Sequence, residues 1–200
     1  MSKRINDGTY WDAHDLLTRN GMFNYAIGGR GTGKTYDAKY KRIKHFIKTG
    51  NQFIYLRRYK SEFFTDVVDN FPAWEFKVEG MKGYMRKQPI GDEKPGKWRT
   101  VCFFITLANA LSKKSVPYPN VDMIIFHEFI IDKGNVHYMS NEVKQFQDFY
   151  NTVDRFQDRV RVLFLANAVA LTNPYFIWYH LKPRKGRRFI SAANGYHIVE

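Results

Sequence analysis

One short segment of the chain reads Gly28-Gly29-Arg30-Gly31-Thr32-Gly33-Lys34-Thr35. It matches the pattern G-x-x-x-x-G-K-[ST], the phosphate-binding P-loop. The glycines let backbone N–H groups approach phosphate oxygens with no Cβ in the way. Lys34 supplies a positive charge for the β- and γ-phosphates, and the Thr35 hydroxyl can bind Mg²⁺. The segment therefore predicts that the chain binds a nucleoside triphosphate, which we take to be ATP, together with Mg²⁺.

The residues on either side predict the local structure that a P-loop needs. Residues 23–27 (FNYAI) are typical of a short buried strand, and residues 35–49 predict a helix. The N-terminal end of that helix adds its dipole to an anion site. A glycine-rich turn can arise by chance, but a strand before it and a helix after it favour the P-loop.

Composition limits the chain to a few classes of protein. Its 200 residues, 44% of them hydrophobic and 17% aromatic, are enough for one α/β domain with a sizeable core. We find no apolar run long enough to span a bilayer and no signal-peptide core at the start. The single cysteine, Cys102, lies in an apolar run, which predicts a buried thiol. We therefore expect a cytoplasmic protein with no membrane partner.

The charge balance indicates a polyanionic partner. The chain has 32 Lys and Arg residues against 19 Asp and Glu residues, a net charge of +13. Nucleotide binding alone does not require this charge, so nucleic acid is favoured, with a merely soluble basic protein as the alternative. Since no helix-turn-helix or zinc-finger pattern occurs, we expect contacts to DNA phosphates that ignore base sequence and weaken with salt.

Strand and helix patterns alternate along the rest of the chain. Apolar runs predict strands at 52–57, 121–126 and 160–165, and an amphipathic helix lies between the last two. Between residues 74 and 106, three segments alternate apolar and polar residues around glycine-rich turns, which is typical of an antiparallel meander. The prediction is an α/β fold with a mostly parallel central sheet, helices on both faces and a meander insertion.

The same patterns divide the chain into three parts. Residues 1–20 are a polar lead-in segment with a short helix near 11–17, and residues 21–181 form the P-loop domain. Residues 182–200 begin with a run of basic side chains and predict a connector toward a missing C-terminal domain.

The apolar strand predicted at 121–126 is followed by His127 and Glu128. P-loop hydrolases hold Mg²⁺ with a carboxylate at the tip of the strand beside the P-loop, and many use an adjacent Glu to activate water. Glu128 suits the second role, although such a residue can also be a solvated loop glutamate. His127 stands where Asp is expected, and a neutral imidazole can bond to a metal-bound water but lacks the charge. We therefore expect weak binding of Mg²⁺-ATP that falls further as pH drops through the titration range of this histidine.

Further motifs follow the P-loop in a fixed order. They read QFIYLRRYK at 52–60, YPNV at 118–121, FHEF at 126–129, NAV at 167–169 and NPYF at 173–176. With the P-loop and its internal Arg30, they resemble the DNA-packaging ATPases of φ29-like tailed phages, over about residues 20–190. The resemblance implies an additional-strand, catalytic-glutamate (ASCE) P-loop NTPase domain that works as a homopentameric ring. The ring would move double-stranded viral DNA into a preformed capsid, on a portal and a packaging RNA.

The resemblance also implies roles for individual residues. Glu128 would be the catalytic glutamate, and His127 would occupy the Walker B position where the family has Asp. Arg155 would be a trans-acting arginine finger and Lys114 a trans-acting lysine. The family further implies action in the host cytoplasm, transiently at the capsid portal vertex and not in the mature virion, and a C-terminal nuclease-like domain beyond the motor domain.

The residues themselves leave alternatives open. Arg155 could complement a helix dipole, and Lys114 could be solvated surface. Asn167, just after a predicted strand, is placed to sense the γ-phosphate or the attacking water, but could also be a turn residue. For the whole chain, two alternatives to a motor remain: an ATP-binding, poorly hydrolysing nucleic-acid clamp, and a P-loop kinase of a small molecule.

Overall fold

A computed structural model describes residues 10–59, 67–91, 94–110, 116–131, 137–184 and 186–200. Its helices and strands, in chain order, are α1 (His14–Leu17), β1 (Phe23–Gly28), α2 (Lys34–Thr49), β2 (Gln52–Arg57), β3 (Trp74–Glu79), β4 (Lys82–Lys87), β5 (Arg99–Thr106), α3 (Leu107–Ala110), β6 (Val121–His127), α4 (Glu142–Asp154), β7 (Arg161–Asn167), α5 (Pro174–Trp178), β8 (Ile190–Ala192) and β9 (His197–Val199). A 3₁₀ turn spans Val68–Asn70. None of the helices in these ranges is long and apolar enough to cross a membrane.

All nine strands form one sheet in the order β3-β4-β5-β2-β6-β7-β1-β9-β8. The six strands from β5 to β9 in this order run parallel to one another, while β3, β4 and β8 are antiparallel to their neighbours. The central strands read as nearly continuous apolar runs because both of their faces are covered. The predicted α/β class with a mostly parallel sheet is confirmed.

Helices cover both faces of this sheet, as predicted. Successive strand residues point to opposite faces, so Tyr25 joins the core under α3, α4 and α5, whereas Ala26 joins the core under α1 and α2. In the same way, Phe126 packs with Phe146 of α4, and Ile125 packs in the cluster that contains Phe46 of α2. Each face therefore has its own apolar core, and the sheet separates them.

The predicted meander is present, but it extends the main sheet. Strands β3, β4 and β5 pair antiparallel, and β5 also pairs parallel with β2. Gly83 is needed where β4 passes over β5, because a Cβ there would lie 2.7 Å from the Sγ of Cys102. Cys102 is buried, as predicted, and burial raises the pKa of its thiol well above the usual range.

The strand order shows what lies between the two strands of the site. The strand that ends in His127 does not pair with the P-loop strand, because β7 lies between β6 and β1. Gly28 is therefore paired with Asn167, and His127 with Leu165. All of these strands are apolar runs, so their sequences do not reveal which ones are neighbours. The inserted β7 is the additional strand that the resemblance implies.

Both ends of the described chain contact the P-loop region. The lead-in helix is a single turn. Just before it, the backbone N–H of Trp11 donates to the carbonyl of Thr32 at 2.9 Å. The indole Nε1 of Trp11 donates to the carboxylate of Glu200, also at 2.9 Å. The supposed connector contains β8 and β9, and β9 extends the sheet next to β1. The division at residues 20 and 181 and the connector at 182–200 stay predictions, and the structure adds that β8 and β9 belong to the sheet.

A buried histidine in β9 makes the fold sensitive to acid. Burial lowers the pKa of His197 from 6.5 to about 4, and its Nδ1 lies 3.1 Å from the hydroxyl of buried Tyr25. Between these two pH values the unfolded chain binds a proton that the folded chain does not, so stability falls as pH drops from about 6.5 toward 4.

The variant His197→Gln should lose less stability in acid than the parent chain. Glutamine does not titrate but still offers a hydrogen-bond partner to Tyr25, so at pH 5 the variant should take up about one proton fewer on unfolding. Urea unfolding of both chains at pH 7 and pH 5 tests this, and an identical loss of stability in the two would contradict it.

Candidate nucleotide site

The P-loop connects the carboxyl end of β1 to the first turn of α2. Within it, Gly31 has φ +77° and Gly33 has φ +82°, a left-handed backbone that favours glycine. A Cβ on Gly31 would meet nothing within 4 Å, so glycine is required there for its backbone angle and not for space. Gly33 directly precedes α2, and the unpaired N–H groups of that helix start point to the loop. This geometry fits a phosphate group.

Lys34 lies across the loop. Its Nζ donates to the carbonyl of Gly29 at 2.7 Å and contacts the hydroxyl of Thr32 at 3.1 Å. Only 7% of Lys34 is exposed, and burial lowers its pKa. The ammonium group is therefore held within the phosphate-binding loop by backbone and hydroxyl oxygens.

One cleft brings five of the predicted site residues together. It is lined by Lys34, Thr35, His127, Glu128, Leu165, Ala166 and Asn167. These residues come from the ends of β6 and β7, from the turn after β6 and from the start of α2. β1, which leads into the P-loop, runs parallel to β6 and β7, and parallel strands place their carboxyl ends at one edge of a sheet. The predicted proximity of the P-loop to His127, Glu128 and Asn167 is confirmed, although their roles stay predictions.

Glu128 occupies the turn that follows β6. It has φ +58°, a left-handed angle that is uncommon for a residue with a side chain. Its half-exposed carboxylate forms an ion pair with Arg57, the last residue of β2. Sequence analysis missed Arg57, and the only signal for it is the pair Arg57-Arg58 at the end of a predicted strand.

His127 is a largely buried imidazole at the end of β6. Its ring stacks on Tyr55, with centroids 5.7 Å apart, and its Nδ1 has no hydrogen-bond partner among the described residues. Burial is the main cause that lowers the pKa of His127 to about 4. Nearby positive charges lower this pKa further, whereas the negative charge of Glu128 raises it. The titration range of His127 therefore lies near pH 4, below the usual histidine range, and the expected loss of Mg²⁺-ATP binding on protonation of the ring stays a prediction.

The described part of the chain contains no group of three His, Cys, Asp or Glu side chains that could hold a metal ion. Mg²⁺ commonly keeps several waters and binds through substrate phosphates with few protein ligands. The hydroxyl of Thr35 and the unpartnered imidazole nitrogen of His127 suit such a site, the second through a bound water. The cleft therefore fits Mg²⁺ that arrives with a nucleotide.

Arg155 does not lie in the cleft. Arg155 follows the last residue of α4, and α4 returns the chain to the edge of the sheet where β7 begins. The cleft is at the other end of β7, which is about 20 Å away at the usual rise per strand residue. The side chain of Arg155 has no hydrogen bond or ion pair within the described ranges, whereas Arg159 donates to backbone carbonyls and Arg161 pairs with Asp158. Lys114 lies outside the described residues.

Comparison with known proteins agrees with this geometry. Residues 5–196 match the family described as Podovirus DNA encapsidation protein (Gp16). The chain belongs to the Gp16 family. The DNA packaging protein of Bacillus phage phi29 is 40% identical over 191 residues, which are 92% of this chain and 54% of that protein. This Gp16-family chain thus spans about half the length of the curated relatives it matches.

Solved structures give the same result. The crystal structure of the N-terminal domain of the DNA packaging ATPase from bacteriophage phi29 has a TM-score of 0.82 and 38% identity, over 96% of this chain and 95% of that one. A chain of the phi29 viral genome packaging motor assembly has a TM-score of 0.80 and 37% identity, over 96% of this chain and 57% of that one. The fold of this Gp16-family chain is therefore that of the phage packaging ATPase domain.

Lys34→Ala should abolish nucleotide binding in this Gp16-family chain. Hydrogen bonds to charged groups are worth about 1.5–3 kcal/mol each, so losing two from the ammonium to phosphates should weaken ATP by about 10² or more. Calorimetry with Mg²⁺-ATP measures this, with Lys44→Ala as the control because Lys44 is an exposed lysine of the same helix. Equal ATP affinity in the two variants would rule out the P-loop as the nucleotide site.

His127→Asp should strengthen Mg²⁺-dependent binding and speed hydrolysis. An ionised carboxylate adds negative charge near the metal-bound waters, and residues in such outer positions typically change metal affinity by about 10–100-fold. In the parent chain, the lowered pKa of His127 predicts Mg²⁺-ATP affinity that does not follow a histidine titration between pH 5 and 8. Titrations of both chains across this range, with Mn²⁺ as a second metal that imidazole binds better, are the measurement. No gain in the Asp variant at any pH would mean that Thr35 and Glu128 suffice to position the metal.

Proposed function

We propose that this chain is an ATP-hydrolysing motor domain that translocates double-stranded viral DNA into a preformed capsid. The observation that carries the proposal is the cleft in which Lys34, Thr35, Glu128 and Asn167 converge, in a chain of a family whose relatives are DNA packaging proteins. Its substrates are ATP and water.

In the cleft, backbone N–H groups of residues 28–33 and the start of α2 bind the β- and γ-phosphates of ATP, and Lys34 offsets their charge. Thr35, and His127 through a water, would hold Mg²⁺, which would neutralise phosphate charge there. Glu128 accepts a proton from the water that attacks the γ-phosphorus, while the bond to the β-phosphate oxygen breaks and ADP leaves. Asn167 is paired directly with Gly28, the first residue of the P-loop, across the β1–β7 pair, and it orients the γ-phosphate or that water.

Arg155 acts on a neighbouring subunit. It lies at the edge of the sheet opposite its own cleft, so it can reach a γ-phosphate only in another copy of the chain. A homopentameric ring with ATP between subunits provides that geometry, and there the guanidinium offsets charge on the transferring phosphoryl group. Lys114 is proposed to act in the same way from the neighbour.

The remaining partners follow from charge and family. A net charge of +13 suits sequence-independent contacts to DNA phosphates, which guide the duplex through the ring. The portal and the packaging RNA of the capsid hold the ring in place. The motor works in the host cytoplasm, at the portal vertex during assembly, and leaves before the virion matures.

A nucleic-acid clamp that binds ATP and hydrolyses it poorly is the second candidate function. The observation in its favour is His127, a neutral ring where a carboxylate would support metal binding. The clamp and the motor differ in turnover and not in their ligands.

Phosphate release with and without double-stranded DNA separates the candidate functions. We expect DNA to stimulate release by the motor. A clamp would bind DNA with little turnover, and a kinase would ignore it.

DNA binding should show little base preference and weaken about tenfold or more between 50 and 200 mM salt, since even two or three phosphate contacts produce that slope. Glu128→Gln is the matched control, which should keep ATP and DNA binding and lose hydrolysis; full activity in that variant would remove Glu128 from the mechanism.

Arg155→Ala should leave ATP binding intact and reduce hydrolysis by the assembled ring about 10³-fold or more. Arg161→Ala is the control, because Arg161 lies nearby but its ion pair with Asp158 is at the surface and contributes little. Mixing Arg155→Ala with Glu128→Gln subunits should recover part of the activity, because each supplies the group that the other lacks. No recovery in mixed rings would contradict action between subunits.

A further inference from the structure

A buried ion pair lies beneath the turn that carries Glu128. Arg58, the residue after β2, donates from Nε and from Nη2 to the two carboxylate oxygens of Glu142, each at 2.7 Å. The two side chains are 5% and 1% exposed. A guanidinium that engages both oxygens of a carboxylate is the strongest geometry for such a pair, and both groups are held firmly.

Stability alone does not explain this pair. The cost of removing two charges from water largely offsets their attraction, so apolar side chains in the same space would stabilise the fold as well or better. Burial opposes the charge on Arg58, but the hydrogen bonds and charge of Glu142 outweigh it and raise the pKa of Arg58. The guanidinium is therefore ionised, and its remaining donors are available for another role.

Those donors contact the backbone of the Glu128 turn. Nη1 of Arg58 donates to the carbonyl of Glu128 at 3.1 Å, and Nη2 donates to the carbonyl of Phe129 at 2.9 Å. On the other side of the turn, the N–H of Phe129 donates to the carbonyl of Leu165 in β7 at 3.3 Å. The left-handed angle of Glu128 is unfavourable for a residue with a side chain and persists only where its surroundings hold it. Arg58 supplies two of the bonds that hold it.

Adjacent arginines thus hold different parts of one glutamate. Arg57 forms an ion pair with the carboxylate of Glu128, and Arg58 bonds to its backbone from the core side. The two can do so because successive residues of an extended strand point to opposite faces. The side-chain contact is at the rim of the cleft, whereas the backbone contact is buried.

We propose that Arg58 is a positioning residue for ATP hydrolysis, which holds the Glu128–Phe129 backbone so that the Glu128 carboxylate faces the cleft. Glu142 is the counter-ion that keeps Arg58 in place, and its carboxylate also accepts from the hydroxyl of Tyr175 at 2.9 Å and from the N–H of Met139 at 3.0 Å. The proposal rests on the proposed role of Glu128 as the base. A misplacement of about 1 Å at a reacting group can cost about 10²-fold in rate, so loss of Arg58 should act on kcat and not on ATP affinity.

Arg58→Lys keeps the charge next to Glu142 but cannot bond to both carbonyls. Its kcat should fall about 10²-fold, with the Kd for Mg²⁺-ATP within about twofold of the parent. Tyr175→Phe is the matched control, since it removes a different bond to Glu142 and leaves the carbonyls of Glu128 and Phe129 untouched. Its kcat should stay within about threefold of the parent. An equal fall in kcat for the two variants, or a parallel loss of ATP affinity, would overturn the proposal.

A second variant covers the case in which Arg58→Lys does not fold. Arg58→Met combined with Glu142→Gln buries no charge, keeps an acceptor oxygen for the N–H of Met139, and provides an amide N–H that can donate to the hydroxyl of Tyr175. This double variant should fold, lose kcat to the same extent, and show faster amide hydrogen exchange at Phe129 than the parent, with exchange in α2 unchanged. A folded double variant with parental kcat would overturn the proposal. Glu128→Gln separates the two levels. If this variant hydrolyses ATP normally, the proposed role of Glu128 as the base fails. If only the Arg58 variants hydrolyse ATP normally, this inference alone fails.

Discussion

The parallel pairing of β1, β7 and β6 is the interaction on which the rest of the structure depends. It places the ends of three strands at one edge of the sheet, so the P-loop, Asn167 and the turn at Glu128 open into the same cleft. The pairing is maintained by apolar side chains on both faces, including Tyr25 and Phe164, whose rings stack 4.4 Å apart. These three groups are separated by about 40 or more residues along the chain. Pairing between distant strands is therefore what brings them together, and no local structure could do so.

The charges around the cleft are arranged in two layers. At the rim, the carboxylate of Glu128 meets Arg57, and Lys34 lies across the P-loop. Below it, Arg58 of the buried Arg58–Glu142 pair contacts the backbone of the same turn. Glu142 begins α4, and Arg155 follows its end, so one helix connects the underside of the cleft with the residue proposed to serve the neighbouring subunit. His127 adds no charge to either layer, which leaves the metal-binding side of the cleft with one carboxylate fewer than the resemblance implies.

Sequence patterns predicted the class of fold and most members of the candidate site. The P-loop is local, since all its residues and the φ angles they need lie within eight positions, and the apolar runs identified β2, β6 and β7 to within two residues. The meander was visible because strict alternation marks strands with one exposed face. The patterns failed at neighbour relations: the position of β7 between β1 and β6, the pairing of β9 with β1, and the roles of Arg57 and Arg58. An arginine at a strand end has the same local pattern whether it is solvated or bonded to a distant glutamate.

By itself, the sequence determined that this chain has a P-loop, a mostly parallel sheet with helices on both faces, and a histidine where a carboxylate is expected. These properties depend on residue type and on spacing along the chain. Only the tertiary structure decided that His127 is neutral above about pH 4, that Glu128 has a left-handed turn held by Arg58, and that Arg155 lies far from its own cleft. Those properties depend on burial and on contacts between residues remote in sequence, and both exist only once the strands have taken their places in the sheet.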